Sequence, residues 1–170
     1  VRLVNGGGYD DWGMSLAESV SHKPVVINAV ALSGLSPNTD NAADESAGEH
    51  QHDTQHEIKT AHPQPSDHPH VHGDFNEHVF FSLDTAKKVA EAVNKQLAAT
   101  SPANQAIYAK NTQHFIQQID ALKVKAKQIG QQKAITAFAT EPVTGYLLAD
   151  MGIKDVTPKA YVVQSETDAG

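Results

Sequence analysis

Residues 101–130, SPANQAIYAKNTQHFIQQIDALKVKAKQIG, carry the longest helical pattern in this chain. Ser101 followed by Pro102 is typical of a helix start, because serine can cap the first turn and proline fits the first helical position. Apolar side chains then recur on one face, at Tyr108, Phe115, Ile119, Leu122, Ala126 and Ile129. Gly130 is expected to end the helix. A helix of about 28 residues is roughly 42 Å long, which suits a strut between two lobes.

The sequence on either side predicts alternating strands and helices. Upstream, we expect a strand at 2–5, a turn at the three glycines 6–8, a helix at 10–21, a strand at 24–30 and a helix at 84–100. In the first helix, Trp12, Leu16 and Val20 fall on one face. In the second, the predicted buried face carries Ala86, Ala90, Val93 and Leu97. Downstream, we expect a strand at 134–139, a helix at 142–151 ending at Gly152, and a strand at 160–163.

This alternation predicts an α/β fold with parallel strands. Asp84 or Thr85 is the expected cap of the helix at 84–100. The short apolar segment 78–82 is predicted to be a strand or an extended segment. The longest apolar stretch, residues 24–35, is shorter than the about 20 residues that a membrane-spanning helix needs.

Charge and histidine are concentrated in one segment. The net charge of the chain is −7, and residues 36–77 hold nine acidic side chains against the single basic Lys59. Eight of the ten histidines lie between His50 and His78. The segment also has four prolines and few large apolar residues, so residues 36–77 are predicted to be a long, mobile loop. No basic stripe suggests nucleic-acid binding.

The histidines of this loop predict loose metal binding. Neutral imidazole is a common ligand for zinc and its neighbours. Histidines two apart can point to the same side of an extended chain, and the surrounding carboxylates attract cations. The low-affinity candidates are His50, His52, His56, His62, His68, His70 and His72. An acidic, solvated linker or a purification tag are the alternatives. The chain has no cysteine, which excludes thiolate sites.

Two further residues are candidates for a tighter site. His78 lies where the polar loop meets the apolar run that begins at Val79, so its ring could be a fixed ligand or a structural histidine. Glu141 precedes Pro142 and could be a ligand, or a carboxylate that balances the dipole at a helix N-terminus.

Four segments together resemble the metal-specific solute-binding proteins of ABC transporters, the zinc and manganese receptors. The family has four motifs that are similar to segments of this chain. They are Asn-Gly-x-Gly-x-Glu-x-Trp, Asn-Pro-His-Val-Trp, Tyr-x-x-Asn-x-x-x-Phe and ligand-x-x-x-Gly-Tyr. The matching segments are Asn5-Gly6-Gly7-Gly8-Tyr9-Asp10-Asp11-Trp12, Asn76-Glu77-His78-Val79-Phe80, Tyr108 with Asn111 and Phe115, and Glu141-Pro142-Val143-Thr144-Gly145-Tyr146. Asp10, Glu77 and Phe80 depart from the motifs. A His-rich loop before the first-lobe ligand is typical of zinc-uptake members.

The resemblance implies two α/β lobes joined by one long rigid helix, with metal held between the lobes. Residues 1–100 would be the C-terminal part of the first lobe, 101–130 the interlobe helix, and 131–170 the N-terminal part of the second lobe. Of the family's four ligands, the second matches His78 and the third matches Glu141. The first would precede the chain and the fourth would follow it, so both lobes are expected to be incomplete.

The resemblance also implies a role and a partner. It predicts an extracytoplasmic receptor, periplasmic or lipid-anchored at the cell surface, that hands its metal to a membrane ABC permease. Zn2+ is favoured by the imidazoles, and Mn2+ comes next because Glu141 would add a harder oxygen donor. Neither catalytic residues nor a resident cofactor are expected.

Two other functions stay open at this point. One is a His-rich surface protein that stores metal or acts as an adhesin. The other is a metal-dependent hydrolase, because residues 70–75, HVHGDF, approach a His-x-His-x-Asp-His pattern in which Phe75 replaces the last histidine. Exposed strand edges could also pair between chains and give a dimer or a swapped assembly.

Overall fold

The computed structural model of the protein describes residues 1–35, 75–132, 134–158 and 160–161, so the segment from 36 to 74 with its seven histidines lies outside the described residues. The elements are β1 (Arg2–Val4), α1 (Asp11–Ser19), β2 (Val26–Asn28), α2 (Ala29–Ser33), α3 (Leu83–Thr100), α4 (Gln105–Gln131), β3 (Thr136–Ala137), α5 (Gly145–Met151) and β4 (Lys154–Asp155). Single 3₁₀ turns occur at Val79–Phe81, Pro102–Asn104 and Pro142–Thr144.

The strands form two separate parallel pairs, as the alternating pattern predicts. Strand β1 pairs with β2, and β3 pairs with β4. The predicted strand at 24–30 is too long at its end. The Asn28 side chain accepts a 3.0 Å hydrogen bond from the Ala31 N–H and caps α2. The two residues after Asn28 are therefore helical rather than extended.

The glycine turn after β1 is confirmed. Gly6, Gly7 and Gly8 have φ angles of 81°, 67° and 90°, a region in which other residues are strained. The Asp10 carboxylate accepts hydrogen bonds of 2.7 Å from the N–H groups of Asn5 and Gly6. These bonds hold the turn against the start of α1.

Helix α1 buries a face other than the apolar one of Trp12 and Leu16. Trp12 is 70% exposed and Leu16 is 50% exposed, whereas Gly13 and Ala17 are buried. A Cβ atom added at Gly13 would stand 3.2 Å from Val4. The small residues let α1 lie close to β1, so backbone proximity overrides the apolar periodicity here.

The two long helices are confirmed, but three of their predicted ends are wrong. Helix α4 begins at Gln105, after the 3₁₀ turn Pro102–Asn104, and the Ser101 side chain makes no capping hydrogen bond. The cap of α3 is Ser82, whose hydroxyl accepts a 3.2 Å hydrogen bond from the Thr85 N–H; neither Asp84 nor Thr85 is the cap. Helix α4 continues through Gly130 to Gln131. A Cβ atom at Gly130 would stand 1.7 Å from the Met151 carbonyl oxygen, so this glycine allows α5 to approach α4 closely.

The C-terminal strand is also displaced from its predicted position. Gly152, with φ 71°, ends α5 as expected, and the chain pairs with β3 immediately afterwards, at Lys154–Asp155. Ala160 and Tyr161, predicted to begin a strand at 160–163, are helical. The Tyr161 N–H bonds to the Pro158 carbonyl, because proline favours the first turn of a helix over a strand.

A small core and an apolar groove lie next to each other along α3, and Ala29 and Val89 contribute to both. Val79 is fully buried against Ala29 and Val30, with Phe75, Val89 and Tyr146 packed around them. The groove, of about 600 Å³, is lined by side chains of β1, α3 and α4, among them Leu3, Val93, Leu97 and Phe115. Within the described parts of the chain, no helix is both long enough and apolar enough to cross a bilayer.

Lysines and aspartates join α3, α4 and α5 on the outer face. The Lys87 ammonium lies 3.2 Å from the Asp84 carboxylate and 2.9 Å from Asp120. The Lys123 ammonium contacts Asp84 and lies 3.4 Å from Asp150. The lysines hold the pKa of Asp84 below its ordinary value, mainly through the hydrogen bond from Lys123.

Candidate metal centre

His78 lies at the start of a tight turn. The predicted strand or extended segment at 78–82 is wrong, because Val79–Phe81 is a 3₁₀ turn. The Val79 N–H bonds to the Glu77 carbonyl at 2.7 Å, and the Phe81 N–H bonds to the His78 carbonyl at 3.1 Å. The Asn76 side-chain oxygen also accepts the His78 N–H at 3.1 Å. Such a side-chain bond competes with strand pairing and favours a turn.

This turn is anchored in the core by its neighbours. Val79 has no exposed surface, and Phe75 packs against the same cluster. Glu77 is only 6% exposed. Residues 75–77 were assigned to the loop from the sequence, yet they are packed. The backbone that carries His78 is therefore held from both sides.

A hydrogen bond orients the His78 ring. Its Nδ1 lies 2.8 Å from the Asn76 Oδ1. The Asn76 amide cannot be reversed without loss, because its Nδ2 donates a 2.7 Å hydrogen bond to the Pro142 carbonyl. An amide oxygen only accepts, so the contact requires the proton on Nδ1. In the neutral ring, Nε2 then keeps its lone pair, which is the form that binds a metal.

Two aromatic rings limit the rotation of the imidazole. Tyr9, from the glycine turn, has its ring centre 5.8 Å from that of His78, and Phe80 has its centre at 5.7 Å. Both meet the imidazole in an edge-to-face arrangement, and the two aromatic rings also contact each other at 5.3 Å. The half-buried imidazole is therefore packed as well as hydrogen-bonded.

Glu141, the second candidate ligand, is exposed. Its backbone is extended, with φ −140° and ψ 153°, and it precedes the 3₁₀ turn Pro142–Thr144. Its carboxylate makes no hydrogen bond that caps this turn. Because the Asn76 amide holds the carbonyl of Pro142, the segment that carries Glu141 is tied to the turn that carries His78. The role of Glu141 as a ligand stays a prediction.

Asn76 and Tyr146 belong to the hydrogen-bond network of the candidate centre. In the sequence they were recognised only as parts of motifs. The Tyr146 hydroxyl donates a 2.6 Å hydrogen bond to the Asn76 carbonyl. Burial, and then the nearby charge of Glu77, raise the pKa of Tyr146. The available signal was an asparagine two residues before a histidine, a spacing at which asparagine often bonds to the backbone two residues on.

The described residues hold part of a metal site at most. No group of three or more His, Asp or Glu side chains suited to a metal ion occurs within the described ranges. The seven loop histidines, from His50 to His72, lie outside those ranges. The two candidate ligands among the described residues are the His78 imidazole and the exposed Glu141 carboxylate. These are donor types that suit a divalent transition metal.

One curated protein is similar to this chain in sequence. The chain is 28% identical over 111 residues to the zinc-binding lipoprotein AdcA of Streptococcus pneumoniae serotype 4 (strain ATCC BAA-334 / TIGR4); the match covers 62% of this chain and 22% of the lipoprotein.

Solved structures share the fold. The Zn(II)-bound ZnuA-like domain of Streptococcus pneumoniae AdcA is similar at a TM-score of 0.54 and 20% identity, over 92% of this chain and 46% of that one. The solute-binding protein FpvC of Pseudomonas aeruginosa, in complex with Mn2+, is similar at 0.56 and 17%, over 96% of this chain and 54% of that one. The chain thus spans about half the length of these solved proteins. Its fold is that of a solute-binding protein with one long helix.

A family model matches every residue of the chain. It describes the zinc-uptake complex component A, periplasmic, ZnuA, and it covers residues 1–170. This is a family of solute-binding proteins and not a family of enzymes. The match confirms the resemblance inferred from the four motifs, and the chain belongs to the ZnuA family of zinc-uptake components.

Proposed function

We propose that this chain is part of an extracytoplasmic receptor that captures a divalent transition metal and delivers it to an ABC permease. His78 supplies one ligand through Nε2, and Glu141 supplies a carboxylate from the second lobe. Further ligands come from parts of the full-length receptor outside this chain. The domain division follows, with residues 1–100 in the first lobe, 101–130 in the interlobe helix and 131–170 in the second lobe.

The hydrogen bond between His78 Nδ1 and Asn76 is the observation that carries the proposal. A histidine with no role in metal binding could present either nitrogen to solvent. In a histidine that binds a metal, the N–H of the other ring nitrogen usually donates a hydrogen bond to an oxygen. This bond fixes the tautomer and the ring orientation. The buried turn and the packed aromatic rings serve the same purpose, because a tight site needs a ligand that is already in position.

Zinc is the favoured metal and manganese is the second candidate. The relative AdcA is described as zinc-binding, and its ZnuA-like domain was solved with Zn(II). FpvC was solved with Mn2+ and with Ni2+, so this fold accepts more than one metal. Imidazole suits zinc and carboxylate suits manganese, and the seven loop histidines, from His50 to His72, favour zinc as the metal that is gathered.

The test is a zinc titration of the full-length protein. Replacing the seven loop histidines with asparagine first removes the weak background sites. In that background, His78→Ala and Glu141→Gln should each weaken zinc affinity by at least about tenfold, because each removes a donor that a tight site cannot replace from water without loss. Anomalous scattering at the zinc and manganese edges would identify the metal.

His114→Ala is the matched control, since His114 is an exposed histidine on α4. It should leave the affinity unchanged. An unchanged affinity in the His78 variant would refute the ligand assignment. Zinc uptake that does not depend on the permease would favour the storage or adhesin function over the receptor.

A further inference from the structure

Asn76 makes hydrogen bonds to three other residues around the candidate centre, His78, Pro142 and Tyr146. Its side-chain oxygen accepts the His78 N–H at 3.1 Å and faces His78 Nδ1 at 2.8 Å. Its side-chain amide donates to the Pro142 carbonyl at 2.7 Å. Its backbone carbonyl accepts the Tyr146 hydroxyl at 2.6 Å. Both ends of one short side chain are therefore used, each toward a different segment.

The oxygen end sets which nitrogen of His78 is available. With the proton held on Nδ1 by Asn76, Nε2 is the unprotonated nitrogen of the neutral ring. Without this acceptor, the ring could exchange its proton between the two nitrogens and rotate between its aromatic neighbours. Metal binding would then have to select one orientation, which reduces the apparent affinity by the fraction of receptor in that orientation.

The amide end reaches the segment that follows Glu141. Asn76, three residues before the turn at Val79–Phe81, donates this bond to Pro142, the first residue of the turn at Pro142–Thr144. Gly145 leaves the room for it, because a Cβ atom there would stand 3.1 Å from the Asn76 Nδ2. The pair Gly145-Tyr146 thus has a physical role, since one residue makes space for Asn76 and the next bonds to its carbonyl.

We propose that Asn76 is a positioning residue that presents His78 in its metal-binding tautomer and holds the segment of Glu141 beside it. The inference rests on the proposed function for the metal, but the contact of the oxygen end can be tested without metal. The oxygen end positions the first ligand, and the amide end holds the segment of the second. Asn76 touches no metal itself.

The test compares Asn76→Ala and Asn76→Asp in the full-length protein with the loop histidines replaced. Asn104→Ala is the control, because Asn104 is an exposed asparagine whose amide bonds only to the nearby Ser101 hydroxyl. The first readout is the His78 tautomer in the metal-free protein at pH 8, from long-range ¹⁵N–¹H correlation, with the resonance identified by its loss in His78→Ala. The second is zinc affinity by competition with a chelator.

We expect the parent protein to hold the Nδ1–H tautomer and Asn76→Ala to lose it. Zinc affinity should fall about 10- to 100-fold in this variant, the range seen when a hydrogen-bond partner of a metal-bound histidine is removed. Asn76→Asp keeps an acceptor for Nδ1 and should keep the tautomer, but it presents an oxygen to the Pro142 carbonyl in place of a donor. Its affinity should therefore recover only in part. Its added negative charge would strengthen cation binding, so the remaining deficit reports the lost contact.

Two results would overturn the inference. If the tautomer is the same in Asn76→Ala as in the parent, the oxygen end does not position His78. If Asn76→Asp binds zinc as tightly as the parent in 1 M NaCl, where the added charge is screened, the amide end contributes nothing. An unchanged affinity in His78→Ala would instead remove the proposed ligand, while the tautomer measurement would still decide the role of the Asn76 oxygen. If Asn76→Ala does not fold, Asn76→Leu, which keeps the side-chain volume but has no acceptor for Nδ1, decides the role of the oxygen end by the same tautomer measurement.

Discussion

Truncating Val79 tests whether the turn that carries His78 is held by the core. Val79 has no exposed surface and lies against Ala29 and Val30. Val79→Ala leaves the backbone of the turn and its hydrogen bonds in place and removes two methyl groups from this cluster. The protein should lose stability because the apolar contacts disappear and the space is filled only in part.

The magnitude follows from the complete burial of the side chain. Two carbons at about 0.8 kcal/mol each give a transfer cost of about 1.6 kcal/mol. An unfilled cavity of roughly 40 Å³ would add about 1 kcal/mol at about 24 cal/mol per Å³. We therefore expect the free energy of unfolding to fall by about 1.5–3 kcal/mol, the lower value applying if Phe75 or Tyr146 closes the space.

Urea unfolding followed by circular dichroism measures this loss. With an m value of about 2 kcal/mol/M, the midpoint should fall by roughly 1 M while the slope stays unchanged. Val124→Ala is the matched control, because it makes the same change at a side chain of α4 that is 58% exposed. Its midpoint should stay within a few tenths of 1 M. Equal midpoints in the two variants would refute the claim that the core anchors the turn.

Three further substitutions test other features. Asp84→Asn removes two exposed ion pairs and should cost about 0.5–1.5 kcal/mol at low salt, less in 1 M NaCl. The pKa of Asp84 is lowered in the folded protein, mainly by Lys123. Its contribution is therefore present above the ordinary aspartate pKa and lost as the pH falls through the lowered one; equal stability of parent and variant at pH 7 would count against it. Burial raises the pKa of Tyr146, so its ionisation, followed at 295 nm, should come at higher pH than the ordinary tyrosine value. Stability should then be lost as the pH rises through the raised pKa, a loss that Tyr146→Phe should abolish. Gly130→Ala should lower the melting temperature by several degrees, because its Cβ would collide with the Met151 carbonyl; Gln128→Ala on the same helix is the control, and equal melting temperatures would contradict the close contact.

The long helices could be predicted because their signals are local. Pro102 opens the 3₁₀ turn that leads into α4, and apolar residues recur at the helical spacing from Phe115 to Ile129. The glycine turn at 6–8 was equally readable, since positive φ angles need glycine. The parallel pairing followed from the alternation of strands and helices. The family could be recognised because four short motifs occur in the same order as in the family. One such motif alone would not have been specific enough.

The remaining features depend on contacts between distant segments. Nothing near Gly13 in the sequence indicates that α1 packs through its small residues and leaves Trp12 exposed. The turn at Val79–Phe81 forms because Asn76 takes a backbone donor that a strand would use. Asn76 itself acquires its role from Pro142, 66 residues later. The link between the turn of His78 and the segment of Glu141 is therefore a tertiary property.

The ion pairs on the outer face determine which aspartate substitutions this sequence should tolerate. Each lysine faces two carboxylates, and Asp84 is shared by both lysines, whereas Asp120 and Asp150 each serve one. If Asp120 or Asp150 is lost, its lysine still pairs with Asp84, so part of the electrostatic stabilisation remains. Loss of Asp84 weakens both lysines at once. Neutral variation should accumulate at positions 120 and 150 one at a time, and position 84 should change only together with a compensating charge.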